Sequence, residues 1–234
     1  MPSYKRLEYE TDRLIDKLSD YQLLSHMGVP EIFWPYIRSV EWMSEVKGWV
    51  EDLPFIFRPQ PSTFDQETGL CGMGLAFYGD TGTGKSTAAA DLLLHVVRKK
   101  VPNIDPSGRN WSWRGAAMGR WVDWQDASDL FRRAVKDEEA DQEAIALRTA
   151  MVPGGPMKER ADFLVIDDIS RERRTEFNSG ELHRVLRRRQ VRGFPTIITT
   201  NHYPDEWDSV YGEVMGGYLR RAFVPVEFTQ VEFS

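Results

Sequence analysis

The stretch Gly79-Asp80-Thr81-Gly82-Thr83-Gly84-Lys85-Ser86 constrains this chain more than any other part of it. It fits the phosphate-cradling pattern GxxxxGK[ST] at every fixed position. The residues before it, Gly74-Leu75-Ala76-Phe77-Tyr78, read as a short buried strand, and those from Ser86 to Lys100 read as a helix. Strand, glycine turn and helix start are the context the motif requires. Glycines let successive backbone N–H groups converge on a phosphate without Cβ clashes. The helix beginning at Lys85 adds the positive end of its dipole. Lys85 can reach the β- and γ-phosphates, the Ser86 hydroxyl can ligate Mg2+, and Thr87 completes the binding stretch. A chance glycine loop is the alternative, and the flanks weigh against it.

Two further strand tips carry polar residues. Phe163-Leu164-Val165-Ile166 has the doubly apolar character of a buried parallel strand and ends in Asp167-Asp168. Ligands in open α/β sheets sit at such strand ends. Asp167 would hold Mg2+ directly or through water, and Asp168 would face the γ-phosphate and orient or deprotonate water. Thr196-Ile197-Ile198-Thr199-Thr200 is a second buried strand with Asn201 at its end. An amide there can hydrogen-bond both the attacking water and the γ-phosphate. An Asn that merely starts a turn is the ordinary alternative, but this one would lie beside the Asp167 tip.

The rest of the chain can be taken in order. Residues 1–24 hold one helix, capped by Thr11 or Asp12, with Leu14, Ile15, Leu18 and Tyr21 on one face; Gly28 and Pro30 stop it. Trp42, Val46, Trp49 and Val50 share a second helical face, weakened by Gly48. The aromatics between Glu31 and Tyr36 serve core packing or an adenine wall. Residues 51–73, with Pro54, Pro59, Pro61, Gly69 and Gly72, read as a linker or loop. Pro102 to Gly119 is an irregular connection containing Trp111, Trp113 and Arg114, which cover the core or stack bases at ~1–3 kcal/mol each. Arg120–Trp124 is a strand, a helix starts near Asp126 and Asp129, and an acidic helix runs from Asp137 to Met151 before Pro153-Gly154-Gly155-Pro156. A helix from Glu181 to Gln190 turns Leu182, Val185 and Leu186 inward. Asp205–Arg221 is helical in two pieces split at Gly212, and Val224–Phe228 is the last strand, in which Pro225 marks an edge strand or a strand end.

At 234 residues the chain holds one sizeable domain plus an appendage. No apolar run approaches a membrane span, the charged N-terminus has no signal-peptide pattern, and a single cysteine excludes an internal disulfide and a cysteine-cluster zinc site. A cytoplasmic setting is the expectation. The net charge of −6 argues against a generally basic nucleic-acid coat protein. Charge is uneven, however. Asp123 to Glu143 holds eight acidic and three basic residues, whereas Arg171 to Arg192 holds eight arginines and three acids. These are two solvated helix faces, a nucleic-acid track or a head-to-tail subunit contact.

The order GDTGTGKST, FLVIDD and TIITTN, with a final strand and no lid, resembles the AAA+ ATPases of the DnaC/IstB type. These are helicase loaders and transposition helper ATPases close to the DnaA initiator branch. The likeness runs over roughly residues 27–230 and includes Trp207 after the TTN tip. It implies an α/β P-loop core with parallel strand order 5-1-4-3-2, no C-terminal lid and a short helical N-terminal region. Residues 1–50 would form that region, with possible partner binding, and residues 51–234 the ATPase domain. The resemblance also implies ATP and Mg2+ held between subunits of a ring or spiral, and single-stranded DNA along the inner face. Asn201 would be the sensor of the γ-phosphate, and Arg189 an arginine acting near the subunit contact. The arginine finger falls at Arg220 or Arg221, because Tyr218-Leu219-Arg220-Arg221-Ala222-Phe223 does not align cleanly with the family pattern. Asp80 and Thr81 stand where the family often has proline, a change that leaves the loop's backbone contribution intact.

The expected function is an ATP-dependent, DnaC-like helicase loader in DNA replication, acting on single-stranded DNA and a replicative helicase. An IstB-like transposition helper, with a transposase as partner, is the alternative that shares the same site. A small-molecule P-loop kinase and a nucleotide-gated scaffold come from other classes. Arg132, Arg133, Arg171, Arg173 and Arg174 are the candidate nucleic-acid contacts.

Overall fold

Strands buried on both faces set the architecture, and their side chains sort by period two. The computed structural model describes residues 18–38, 40–58, 69–99, 103–104, 110–111, 118–152, 161–170 and 176–229. Its main sheet contains β1 (Gly74–Tyr78), β2 (Gly119–Asp123), β3 (Phe163–Asp167), β4 (Thr196–Thr200) and β5 (Phe223–Glu227). All neighbours pair in parallel, in the order β2-β3-β4-β1-β5. This is the expected order read from the other edge. A separate two-residue antiparallel ladder joins Asn103–Ile104 to Asn110–Trp111.

The helices are α1 (Asp20–Met27), α2 (Ser44–Glu51), α3 (Leu53–Ile56), α4 (Lys85–Arg98), α5 (Trp124–Arg133), α6 (Glu138–Met151), α7 (Glu176–Val191), α8 (Trp207–Tyr211) and α9 (Glu213–Ala222). A short 3-10 helix spans Glu31–Tyr36. Leu75, Phe77, Trp121, Phe163, Val165 and Ile197 face one side of the sheet, where they pack with α1 to α4. Ala76, Val122, Leu164, Ile166 and Ile198 face the other, with α5, α6, α7 and α9. The result is a sheet with a helical layer on each face.

Several local readings shift. Helix α1 begins at Asp20, where Ser19 and Gln22 form a capping box, and Gly28 ends it in the left-handed conformation (φ 78°). Its buried face is Leu23, Leu24 and Met27, while Tyr21 is exposed, so Tyr21 does not belong to the inward stripe. Thr11, Asp12, Leu14 and Ile15 lie outside the described residues. Residues 51–73 are not all linker, because Leu53, Ile56 and Phe57 are buried in the first core. Phe33 and Trp34 pack against the same core, which favours packing for that aromatic stretch. Helix α5 starts at Trp124 because the Asp123 carboxylate caps it, accepting the Asp126 N–H at 3.0 Å. Helix α7 extends back to Glu176. Pro59, Pro61, Trp113, Arg114 and the Pro153–Pro156 break are outside the described residues. Among the described residues β5 pairs with β1 alone, and this edge position tolerates Pro225.

The end of the sheet away from the phosphate loop is held by one side chain. Arg189 is fully buried, and all five of its N–H donors are used. Nε donates to Thr196 Oγ1 at 2.8 Å. Nη1 donates to the carbonyls of Met151 and Ala161, and Nη2 to those of Asp162 and Pro195, at 2.8–3.0 Å. Arg189 therefore ties the end of α6 to the starts of β3 and β4. Burial lowers its pKa, and the nearby Asp162 charge opposes the shift. This corrects the sequence reading: a side chain enclosed in this way is not presented at a subunit contact. The spacing Leu182, Val185, Leu186, Arg189 puts it on the inward face of α7, a signal already in the sequence. Arg189→Met should lower the unfolding free energy in urea by about 3 kcal/mol or more, because several buried acceptors lose their donor. A loss well under about 1 kcal/mol would contradict the staple role.

Candidate active site

The phosphate loop joins β1 to α4 at the C-terminal edge of the sheet. Gly79 is buried at its base, whereas Asp80, Thr81, Gly82 and Gly84 are exposed along its rim. Gly79 has φ 132°, and a Cβ there would overlap the Phe228 carbonyl oxygen. The glycine is thus required by the approach of the chain leaving β5, whose Phe228 N–H bonds the Tyr78 carbonyl at 2.8 Å. Gly84 (φ 91°) is the N-cap of α4 and supplies no side-chain acceptor. The first-turn N–H groups of α4, around Ser86 and Thr87, therefore carry no side-chain cap, as an anion site requires. Lys85 is 7% exposed and folds back over the loop. Its Nζ donates to the carbonyls of Gly79 (2.8 Å) and Asp80 (2.6 Å) and approaches Thr83 Oγ1 at 3.4 Å. Burial pushes its pKa down, and the charges of Asp168, Asp80 and Asp167, in that order, pull it back up.

The acidic tip of β3 meets this loop directly. Ser86 Oγ donates to Asp167 Oδ1 at 2.8 Å, across 81 residues of sequence. Thr199 Oγ1 donates to the same oxygen at 2.6 Å. Burial raises the Asp167 pKa, the Thr199 and Ser86 bonds lower it, and the charges of Asp168 and Asp123 raise it again. A cation at this carboxylate would offset that cost of burial. Among the described residues no group of three or more His, Cys, Asp or Glu side chains could hold a metal by itself. One carboxylate and one hydroxyl fit Mg2+, which completes its shell with phosphate and water oxygens.

Asp168 leaves the strand in the left-handed region, with φ 53°. Asp tolerates this better than most residues, yet such backbone is held in place by its surroundings. Its N–H bonds Thr199 Oγ1 at 2.8 Å, and its Oδ1 accepts from Ser170 Oγ at 2.5 Å. The Ser170 oxygen in turn accepts the Asn201 N–H at 3.3 Å. Asp168 and Asn201 are thus brought together through Ser170. Neither Ser170 nor Thr199 was singled out from the sequence. Pairing of β3 with β4 could have pointed to Thr199, since Thr196, Ile197 and Ile198 face Leu164, Val165 and Ile166 in register.

The remaining residues fall elsewhere. Arg220 binds the Asp208 carboxylate at 2.6 Å and the Pro204 carbonyl at 3.1 Å, tying α9 to α8. Arg221 is exposed beside it. Arg132 and Arg133 are exposed on the last turn of α5, with Arg132 paired to Asp129. Arg184, Arg187 and Arg188 lie exposed on α7, and Arg184 is paired to Glu181. Arg171, Arg173 and Arg174 lie outside the described residues. No helix among the described residues is long and apolar enough to cross a membrane.

No family model and no curated protein matches the sequence. The structure, in contrast, is similar to solved ones. A DnaC helicase loader aligns at 19% identity with a TM-score of 0.55, over 86% of this chain and 100% of that one. DnaI aligns at 16% and 0.54, over 87% and 96%. AMPPCP-bound DnaA from Aquifex aeolicus aligns at 15% and 0.51, over 78% of this chain and 44% of that one. This chain therefore shares their fold, a parallel five-stranded sheet with helices on both faces and a glycine-rich loop after β1.

Gly79→Ala should lower the melting temperature by several degrees, because the loop base and the chain after β5 cannot both keep their places. A wild-type melting temperature in this variant would show that the close approach at Gly79 is dispensable.

Proposed function

We propose that this chain, built on the AAA+ fold of the helicase loaders, is an ATP-dependent DnaC-like loader acting in DNA replication. One observation carries the reading: the hydrogen bond from Ser86 to Asp167, which unites the phosphate loop with the acidic strand tip. ATP would lie along the backbone of residues 79–87, with Lys85 on its outer phosphates. Ser86 and Asp167 would hold Mg2+, which when bound neutralises charge on the phosphates. Asp168 accepts the proton of the attacking water or orients it, and Asn201 holds that water against the outermost phosphate.

The site would be completed by a second copy of the chain. Arg220 is engaged by Asp208 within its own domain, so Arg221 is the better arginine finger. Such a residue supplies roughly 10³–10⁵ in rate. Residues 1–50 are the proposed partner-binding region, for a replicative helicase. The exposed arginines Arg133, Arg187 and Arg188, together with Arg171, Arg173 and Arg174, are the proposed contacts to single-stranded DNA. Helicase-loader and initiator neighbours support replication over transposition, and pull-down of a transposase in place of a helicase would reverse that choice.

The test is the ATPase rate against protein concentration, with and without single-stranded DNA. The rate per subunit should rise with concentration. A rate independent of both would defeat the composite site. Lys85→Ala should abolish ATP binding. Asp168→Asn should keep binding and lower turnover about 10²-fold or more. For DNA, the paired change Arg187→Glu with Arg188→Glu should weaken binding and flatten the salt dependence, by about 0.7 in log–log slope for each phosphate no longer neutralised. An unchanged slope would remove α7 from the DNA surface.

A further inference from the structure

Thr199 is the next-to-last residue of β4 and is 1% exposed. Its hydroxyl makes two bonds of opposite sense, donating to Asp167 Oδ1 at 2.6 Å and accepting the Asp168 N–H at 2.8 Å. Its carbonyl also accepts the Ile169 N–H at 3.0 Å. One residue of β4 therefore holds three consecutive residues leaving β3, at the point where Asp168 enters left-handed backbone. Hydrogen bonds run in one direction from the Asp168 N–H through the Thr199 hydroxyl to the Asp167 carboxylate, where the Ser86 hydroxyl also converges. A β-branched side chain has few rotamers, so β4 itself determines where this hydroxyl stands.

We infer that Thr199 is a positioning residue for the acidic tip: its single hydroxyl fixes the rotation of the Asp167 carboxylate and keeps the Asp168 backbone in its left-handed turn. The inference rests on the reading of this site as a Mg-ATP centre. Ser86 and Thr199 share Oδ1, so the loop and the sensor strand together orient the group proposed to hold Mg2+. Loss of the Thr199 hydroxyl leaves Asp167 with the Ser86 bond and takes from the Asp168 N–H its Thr199 acceptor. Groups that orient a metal's carboxylate in this way are worth about 10–100-fold in metal affinity or activity.

The experiment measures binding of N-methylanthraniloyl-ATP by fluorescence, in EDTA and across a Mg2+ titration, alongside kcat and KM. For Thr199→Val, affinity in EDTA should stay near wild type. The Mg2+-dependent gain in affinity and kcat should each fall about 10–100-fold. Thr199→Ser, which keeps the hydroxyl, should restore both to within about 3-fold of wild type. Thr199→Val with wild-type Mg2+ dependence and kcat would overturn the inference. Equal loss in EDTA and in Mg2+ would also overturn it, because the role would then be packing of the strand. Should Thr199→Val fail to fold, Thr199→Ser against Thr199→Ala decides: a defect confined to Ala supports the hydroxyl, and equal defects refute it. A wild-type protein that neither binds nor hydrolyses ATP would instead defeat the proposed function, and is distinguishable because it precedes any variant.

Discussion

Everything at the site depends on β1 being paired in parallel on both sides, with β4 and with β5. Parallel pairing sends every strand tip to the same edge. The glycine loop after β1, the acids after β3 and Asn201 after β4 then share one rim of the sheet. On the other flank, β5 passes so close to the loop base that only a glycine fits at position 79. The loop is therefore shaped from one side by a neighbouring backbone and tied on the other to Asp167 through Ser86.

The two ends of the sheet are built on different terms. At the strand starts, Arg189 directs every donor to main-chain oxygens and one hydroxyl. At the strand tips the polar groups are crowded instead. Asp167 is buried beside Asp168 and within range of Asp123, Lys85 is nearly enclosed, Asp168 has strained backbone, and α4 lacks a side-chain cap. Such local conflicts cost stability and gather where a ligand or reaction must be accommodated. A well-satisfied end opposite offsets that cost.

The N-terminal segment is coupled to the same helix that begins at the loop. Asp91, buried on α4, accepts the Arg38 N–H at 2.7 Å and the Trp42 indole N–H at 2.8 Å. Arg98 at the far end of α4 binds the Leu18 carbonyl and Asp20. Residues 18–57 thus lie along α4 and share its core, rather than hanging from it.

The pattern GDTGTGKST, the doubly apolar runs and their polar ends were enough to read a parallel α/β sheet, its strand order through the resemblance, and Lys85, Ser86, Asp167 and Asp168 as a set. They were legible because each is a local pattern: a glycine spacing, a period, a residue next to a strand end. Contacts between distant segments were not legible. The side of α7 on which Arg189 lies was available from its spacing, but its five acceptors come from three separate stretches of chain. Thr199 looked like one more strand residue until the β3–β4 register set it against two aspartates. The primary structure determined which chemical groups the chain carries to each strand tip. Folding alone decided which of them meet, because hydrogen bonds act over about 3 Å whatever the separation along the chain.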